Sequence, residues 1–269
     1  MGRHSYETEQ EPKRAPRLRV AHGGLTDIGL LRAVNEDAFL AEPPVFLVAD
    51  GMGGHLVGDR AAQAAVDSLA RIPWRTVSTA DAASLLQRCV AEARTYIVSY
   101  VKDGVLDTTE TRVNAQPGAG TTLAGALYCV GEANWTVFHI GDSRVYLWRG
   151  GELRRLTRDH SLVQELIDEG EISEAQARYH PRRSVITRAI GSYGPCRLDV
   201  SAFPSQPGDL VLACSDGLSD QLDDTAIASV IVDVEAEESL NGLAFALRDV
   251  ALTQGGRDNV TVALMKIGE

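Results

Sequence analysis

The sequence predicts an α+β domain in which grouped helices pack on antiparallel sheets. Three observations predict it. The stretches Ala33–Ala49 and Leu123–Leu156 hold short apolar strands without the strict β-α alternation that a doubly wound parallel sheet requires. Helical patterning is gathered instead into Ala61–Ala70, Ala80–Val101 and Leu240–Thr253. From Leu18 onwards, no Pro/Gly/Ser-rich linker or internal repeat divides the chain.

Taken in order, Val45–Ala49 is a continuous apolar run, short and β-branched enough for a buried strand. Ala61–Ala70 and Ala80–Val101 are rich in Ala, Leu and Arg, with apolar residues returning every three or four positions, so they read as amphipathic helices. Thr121–Val130, Trp135–Ile140 and Asp209–Cys214 read as strands. Arg144–Trp148 and Glu152–Leu156 flank Arg149-Gly150-Gly151, a hairpin signal because glycine accepts the positive φ of a tight turn. Ser161–Glu169 and Ser173–Tyr179 form a helical pair, the second opened by the capping box Ser173-x-x-Gln176. Leu240–Thr253 is the last helix and Val260–Ile267 the last strand.

The 269 residues suit one large domain, and 26 Lys plus Arg against 37 Asp plus Glu give a net charge of −11. That acidic balance argues against a nucleic-acid binder held by phosphate contacts. No apolar run approaches the ~18 residues that span a bilayer. The four cysteines, Cys89, Cys129, Cys196 and Cys214, include no C-x-x-C pair, which fits a reduced, cytoplasmic protein and excludes a thiolate zinc site. Residues 1–17 mix both charges with two prolines and read as a flexible tail.

Acidic residues recur where apolar strands stop. Val45–Ala49 runs into Asp50-Gly51, Trp135–Ile140 into Gly141-Asp142, and Asp209–Cys214 into Ser215-Asp216-Gly217, while Asp258 precedes the last strand. Each pair taken alone reads as a turn. Together, strand-end carboxylates sharing one cleft would repel strongly unless a divalent cation relieved them, and oxygen donors suit Mg²⁺ or Mn²⁺ rather than Zn²⁺.

These motifs resemble the bacterial metal-dependent serine/threonine protein phosphatases of the PPM (PP2C) family. The resemblance rests on Thr26-Asp27-Ile28-Gly29 through Arg32-Ala33-Val34-Asn35-Glu36-Asp37-Ala38, and on Asp50-Gly51-Met52-Gly53-Gly54-His55. Gly118-x-Gly120-Thr121-Thr122, Gly141-Asp142-Ser143-Arg144, Ser215-Asp216-Gly217 and Gly256-Arg257-Asp258-Asn259-x-Thr261 follow in order. It covers Leu18 to the C-terminus and implies a four-layer α-β-β-α sandwich, two antiparallel sheets flanked by helices, with a metal site at one end. Residues 18–269 would form the catalytic domain, with a flap over about residues 161–195.

By the same resemblance two Mn²⁺ or Mg²⁺ ions would bind, bridged by Asp50. Asp216 and Asp258 would complete the first, and the Gly51 carbonyl and, through water, Glu36 would hold the second. Asp142 with Asp216 would hold a weaker third, and Asp37 and Asn259 would support the ligands from behind. A hydroxide bridging the metals would attack phosphorus in line as the seryl or threonyl oxygen leaves, with Arg32 binding the phosphate. Met52 stands where eukaryotic relatives carry a histidine proposed as general acid, which leaves the acid that protonates the leaving oxygen unassigned between His55, the nearest histidine, and a metal-bound water. The implied partners are phosphorylated proteins, among them a serine/threonine kinase and its substrates, acted on by a monomer. The flap residues Arg178, His180, Arg182, Arg183 and Arg188 form a positive stretch suited to anionic phosphoprotein segments. Two alternatives stand beside this reading: a pseudophosphatase signalling module, which would lack a ligand, and a phosphohydrolase of small phosphate esters. No P-loop, G-x-G-x-x-G, H-E-x-x-H or G-x-S-x-G motif is present.

Overall fold

The computed structural model describes residues 20–53, 57–102, 119–191, 194, 196–235 and 239–268. The tail 1–17, His55, Gly118 and Pro195 at the flap boundary lie outside them. Two antiparallel sheets face one another. The first runs β1 (Val20–Asp27), β12 (Val260–Ile267), β11 (Leu210–Cys214), β7 (Arg144–Arg149) and β8 (Glu152–Arg155). The second runs β10 (Asp199–Pro204), β6 (Asn134–Ile140), β5 (Leu123–Cys129), β3 (Val45–Met52), β4 (Gly120–Thr121) and β9 (Ile190–Gly191), with β2 (Asp37–Glu42) on the other edge of β3.

Three apolar cores bind the layers. Phe46, Val48, Tyr128, Trp135, Val211 and Met265 fill the space between the sheets. Helices α1 (Gly58–Ala70) and α2 (Thr79–Lys102) cover the second sheet through Ala62, Leu69, Leu86, Val90 and Ile97, which meet Leu47 and Leu127. Helices α6 (Asp224–Glu235) and α7 (Leu240–Thr253) cover the first sheet through Ile227, Ile231, Leu243 and Leu247. The expected four-layer sandwich is therefore the observed one. The central strands read as largely apolar runs because they are buried on both faces.

The strand expected over Thr121–Val130 is broken. Thr122 turns both its backbone N–H and its hydroxyl toward Asp50, which ends β4 and starts β5 at Leu123. The helical pair is shorter than expected: α3 spans Leu162–Asp168 with Ser161 as its cap, and α4 spans Glu174–Ala177 inside the Ser173–Gln176 capping box. Among the described residues, β1, β2, β9, β10, α6 and the short α5 (Asp216–Ser219) escaped the sequence pattern.

Candidate metal centre

Strands β2, β3, β6, β11 and β12 bring carboxylates to one end of the sandwich, on or beside them at Asp37, Asp50, Asp142, Asp216 and Asp258. In the β2–β3 ladder Asp37 stands directly opposite Asp50, an arrangement of like charges that destabilises a sheet unless something offsets it. The Asp50 backbone is locked. Its N–H donates to Thr122 Oγ1 at 3.0 Å, and its carbonyl accepts from the Thr122 N–H at 2.9 Å and the Thr121 hydroxyl at 3.0 Å. Thr122 Oγ1 in turn meets Ser143 Oγ at 2.7 Å, which links the Asp50 strand to the Asp142 turn.

Asp37 is held by hydroxyls. Asn35 donates to Thr26 Oγ1 (2.8 Å), Thr26 and Thr261 hydroxyls lie 2.7 Å apart, and the Thr261 hydroxyl donates to Asp37 Oδ2 at 2.6 Å. Such a relay polarises every member toward the carboxylate. Asn259, 4% exposed, spends its whole side chain on the loop that carries Arg32 and Glu36. Its amide nitrogen donates to the Ile28 and Val34 carbonyls, and its oxygen accepts from the Glu36 N–H at 2.9 Å. Two glycines make close approaches, and at Gly51 backbone alone rules out any side chain. A side chain on Gly51 would run into the Gly58 and Glu36 carbonyls, and a Cβ on Gly58 would lie 2.6 Å from Glu36 Oε1. Arg32 sits at the mouth, half exposed, and donates to Asp258 Oδ2 at 2.6 Å.

Electrostatics betrays the strain of this gathering. Burial pushes Asp37 up to about 8 and Asp216 up to about 7, with neighbouring carboxylates adding to the rise. Asp50 and Asp142 are driven well above the usual carboxylate range, again chiefly by burial, then by Asp37 and Asp216 for Asp50 and by Asp216 and Asp159 for Asp142. Among the described residues, Asp142 Oδ1 and Asp216 Oδ1 are buried without a hydrogen-bond partner. Buried polar atoms are nearly always satisfied, so an acceptor left bare in an all-oxygen site fits a hard cation. The donor set matches Mg²⁺ or Mn²⁺.

The comparisons with known proteins agree. A family profile described as protein phosphatase 2C matches residues 32–249. The chain belongs to the protein phosphatase 2C family. A serine/threonine phosphatase of Listeria monocytogenes is 35% identical over 249 residues, covering 90% of this chain and 93% of that one. The Mycobacterium tuberculosis serine/threonine phosphatase PstP superposes with a TM-score of 0.79 at 33% identity, covering 93% and 99% of the two chains. The PstP catalytic domain solved with two manganese ions matches with a TM-score of 0.78 at 32% identity, covering 94% and 100%.

In this phosphatase a cleft of about 980 Å³ opens from the acidic end. Arg32, Asp142, Asp216 and Asp258 border it, and it continues beneath the flap past Arg178 and Arg183. The positive stretch of the flap is thereby divided. Arg178 donates to the Asp220 carbonyl at 3.3 Å and Arg183 lies 3.9 Å from the Asp220 carboxylate. Arg188 turns to Asp199, and Arg182 is exposed outside the cleft lining. Sequence reasoning missed the hydroxyls of Thr121, Thr122, Ser143 and Ser215 as supports. Their only signal was polar residues closing apolar runs beside the acids.

Proposed function

We propose that the phosphatase hydrolyses phosphoserine and phosphothreonine in proteins at this acidic end. Asp50, the Gly51 carbonyl, Asp216, Asp258 and, through water, Glu36 would hold two Mn²⁺ or Mg²⁺ ions, with Asp142 and Asp216 holding a weaker third. The observation that carries this reading is the pair of bare buried oxygens on Asp142 and Asp216, set among carboxylates whose pKa values burial and mutual repulsion raise. When bound, the cations lower the pKa of coordinated water toward neutrality and offset phosphoryl charge. The chain supplies the rest. Thr121 and Thr122 fix Asp50, the Thr26–Thr261 relay fixes Asp37, and Asn259 sets the loop that presents Arg32 and Glu36.

Arg32 offers paired donors to a phosphate and stays charged at any working pH. Asp258, its partner here, competes with a phosphate for it, and the guanidinium would be free for substrate when Asp258 serves a cation instead. Among the described residues no histidine lines the cleft, so no described imidazole is placed to protonate the leaving oxygen. The protein is a serine/threonine phosphatase rather than a pseudophosphatase, since all the acids expected to bind metal are present and converge. Its domain spans residues 18–269 with the flap over about 161–195. Phosphoproteins, among them a kinase and its targets, would dock along Arg178 and Arg183 on a monomer. Four free cysteines, three of them buried, support a cytoplasmic setting. Among the described residues no helix is long and apolar enough to cross a membrane. The deciding experiment is hydrolysis of a phosphothreonine peptide with Mn²⁺, with chelator and in Asp50→Asn. Activity is expected only in the first, and activity restricted to nucleotides would overturn the substrate class.

A further inference from the structure

Behind the Gly141–Asp142 turn lies a cluster that the proposed chemistry does not use: the buried His139 and His160 with the exposed Asp199. His160, 5% exposed, grips Gly141 at both backbone groups. The His160 N–H donates to the Gly141 carbonyl at 2.9 Å, and the Gly141 N–H donates to His160 Nδ1 at 3.1 Å. A backbone N–H can only donate, so Nδ1 carries no proton and the ring's hydrogen sits on Nε2, facing Asp199 Oδ2 at 3.1 Å. Burial holds the ring neutral, with its pKa down at about 4. Arg188 completes the circuit with two bonds to Asp199, at 2.9 and 3.3 Å. The root of the flap closes on the same residue, since the Thr187 N–H donates to the His160 carbonyl at 2.8 Å.

Two imidazoles and a carboxylate this close invite a metal reading, but the ring geometry opposes it. His139 and His160 stack at 4.5 Å with planes 20° apart. Their in-plane lone pairs therefore lie in two nearly parallel planes and are poorly set to converge on one ion. His139 Nε2 is also engaged with the Arg158 carbonyl at 2.8 Å.

We infer that His160 is a positioning residue for Asp142, holding its turn from behind and coupling it to the root of the flap. Gly141 explains why such a clamp is required. Its φ of +106° and the Thr122 side chain, 2.6 Å from any added Cβ, admit only glycine there. Glycine alone leaves the turn conformationally free. Asp142 carries the bare buried Oδ1, and a carboxylate that must meet a cation with that atom needs its backbone fixed from elsewhere. The inference rests on the reading of Asp142 as a ligand of the weaker third cation.

The test is a Mn²⁺ titration of the full chain, followed by electron paramagnetic resonance, on wild type, Asp142→Asn, His160→Asn and His160→Gln. Asparagine places an acceptor oxygen where Nδ1 stands but cannot reach Asp199. Glutamine reaches toward Asp199 but leaves the Gly141 N–H without its acceptor. Asp142→Asn and His160→Gln are each expected to weaken the weakest Mn²⁺ class about ten-fold or more, the scale at which supporting contacts act on metal sites. His160→Asn is expected to stay within about three-fold of wild type, and the two tighter classes serve as the check on folding. If Asp142→Asn leaves the weakest class intact, the third-cation reading fails and the inference with it. If Asp142→Asn weakens that class but His160→Gln does not, or the two His160 variants behave alike, the ligand stands and the positioning role is overturned.

Discussion

Asp209 and Asp216 stand just beyond opposite ends of one strand, β11, and the same side chain has opposite fates there. Asp209 is fully buried and fully answered. Arg149 Nε and Nη2 reach its two oxygens at 2.6 and 2.7 Å, and Trp135 Nε1 and the Gln206 N–H donate to Oδ2 at 2.9 Å each. Asp216 keeps a buried Oδ1 without a partner among the described residues, and burial plus its acidic neighbours push it up to about 7. The contrast teaches what a buried carboxylate is for. Where the chain supplies the countercharge, the acid serves the fold. Where the chain supplies none, burial and acidic neighbours raise the acid's pKa, as the proposed cation-binding role of Asp216 requires.

The largest effect should come from Asp216→Asn, which removes a proposed ligand and should lower activity on a phosphothreonine peptide by about a thousand-fold or more. Its melting temperature in chelator at pH 8 should equal or exceed that of wild type, because a repelling charge has gone. A clear loss of stability there would give Asp216 the same role as Asp209.

Asp209→Ala is the mirror experiment. It strips the acceptor from Arg149, Trp135 and Gln206 at once, and breaking one side of a buried pair costs about 3–5 kcal/mol. The Arg149 side chain is 29% exposed and can recover water, which favours the lower end. A chain of this size should melt roughly 6–12 °C lower. Activity per folded molecule, measured at saturating Mn²⁺, should stay within about two-fold.

How much of this contrast was legible beforehand depends on the residue. Asp50, Asp142, Asp216 and Asp258 could be read because each sits beside a glycine or a polar residue where an apolar run stops, and because the motifs come in family order. Asp209 could not be singled out, since its partners are 60 and 74 positions away in sequence. Strand β1 was hidden for a related reason. Gly23 and Gly24 weaken its pattern, yet an added Cβ on Gly24 would lie 2.8 Å from the Val262 carbonyl, so the pairing with β12 itself demands glycine. Helix α6 carries Ile227, Val230, Ile231 and Val232, whose branched side chains speak for a strand until packing on α7 overrides them. His160 gave no signal at all, because its meaning lies in Gly141 and Asp199, which only folding brings to it.

The pH dependence sharpens the contrast further. Asp37 and Asp216 have folded values of about 8 and about 7, above an unfolded carboxylate, so the native state binds more protons and loses stability as pH rises through that range. His160, at about 4, contributes in the opposite direction but only below about pH 6.5, where an unfolded histidine gains its proton. Between pH 6.5 and 8, melting in chelator should therefore fall with pH. Saturating Mn²⁺ should reverse the trend, adding about 2.7 kcal/mol when its concentration is a hundred times its Kd. A melting temperature flat across that range in both conditions would mean the acids are not strained.

The smallest effect belongs to the rim. Replacing Arg178 and Arg183 with Gln should raise KM for a phosphoprotein a few-fold, as exposed charges contribute roughly 0.2–1 kcal/mol each, and leave a small aryl phosphate unchanged. Equal changes on both substrates would remove the flap from substrate docking.

The account turns on the two ends of β11, and calorimetric titration with Mn²⁺ tests them most directly. Asp209→Ala should bind Mn²⁺ with the stoichiometry and affinity of wild type, while Asp216→Asn should lose at least one site. Wild-type binding by Asp216→Asn would contradict the claim that this acidic end is a metal centre.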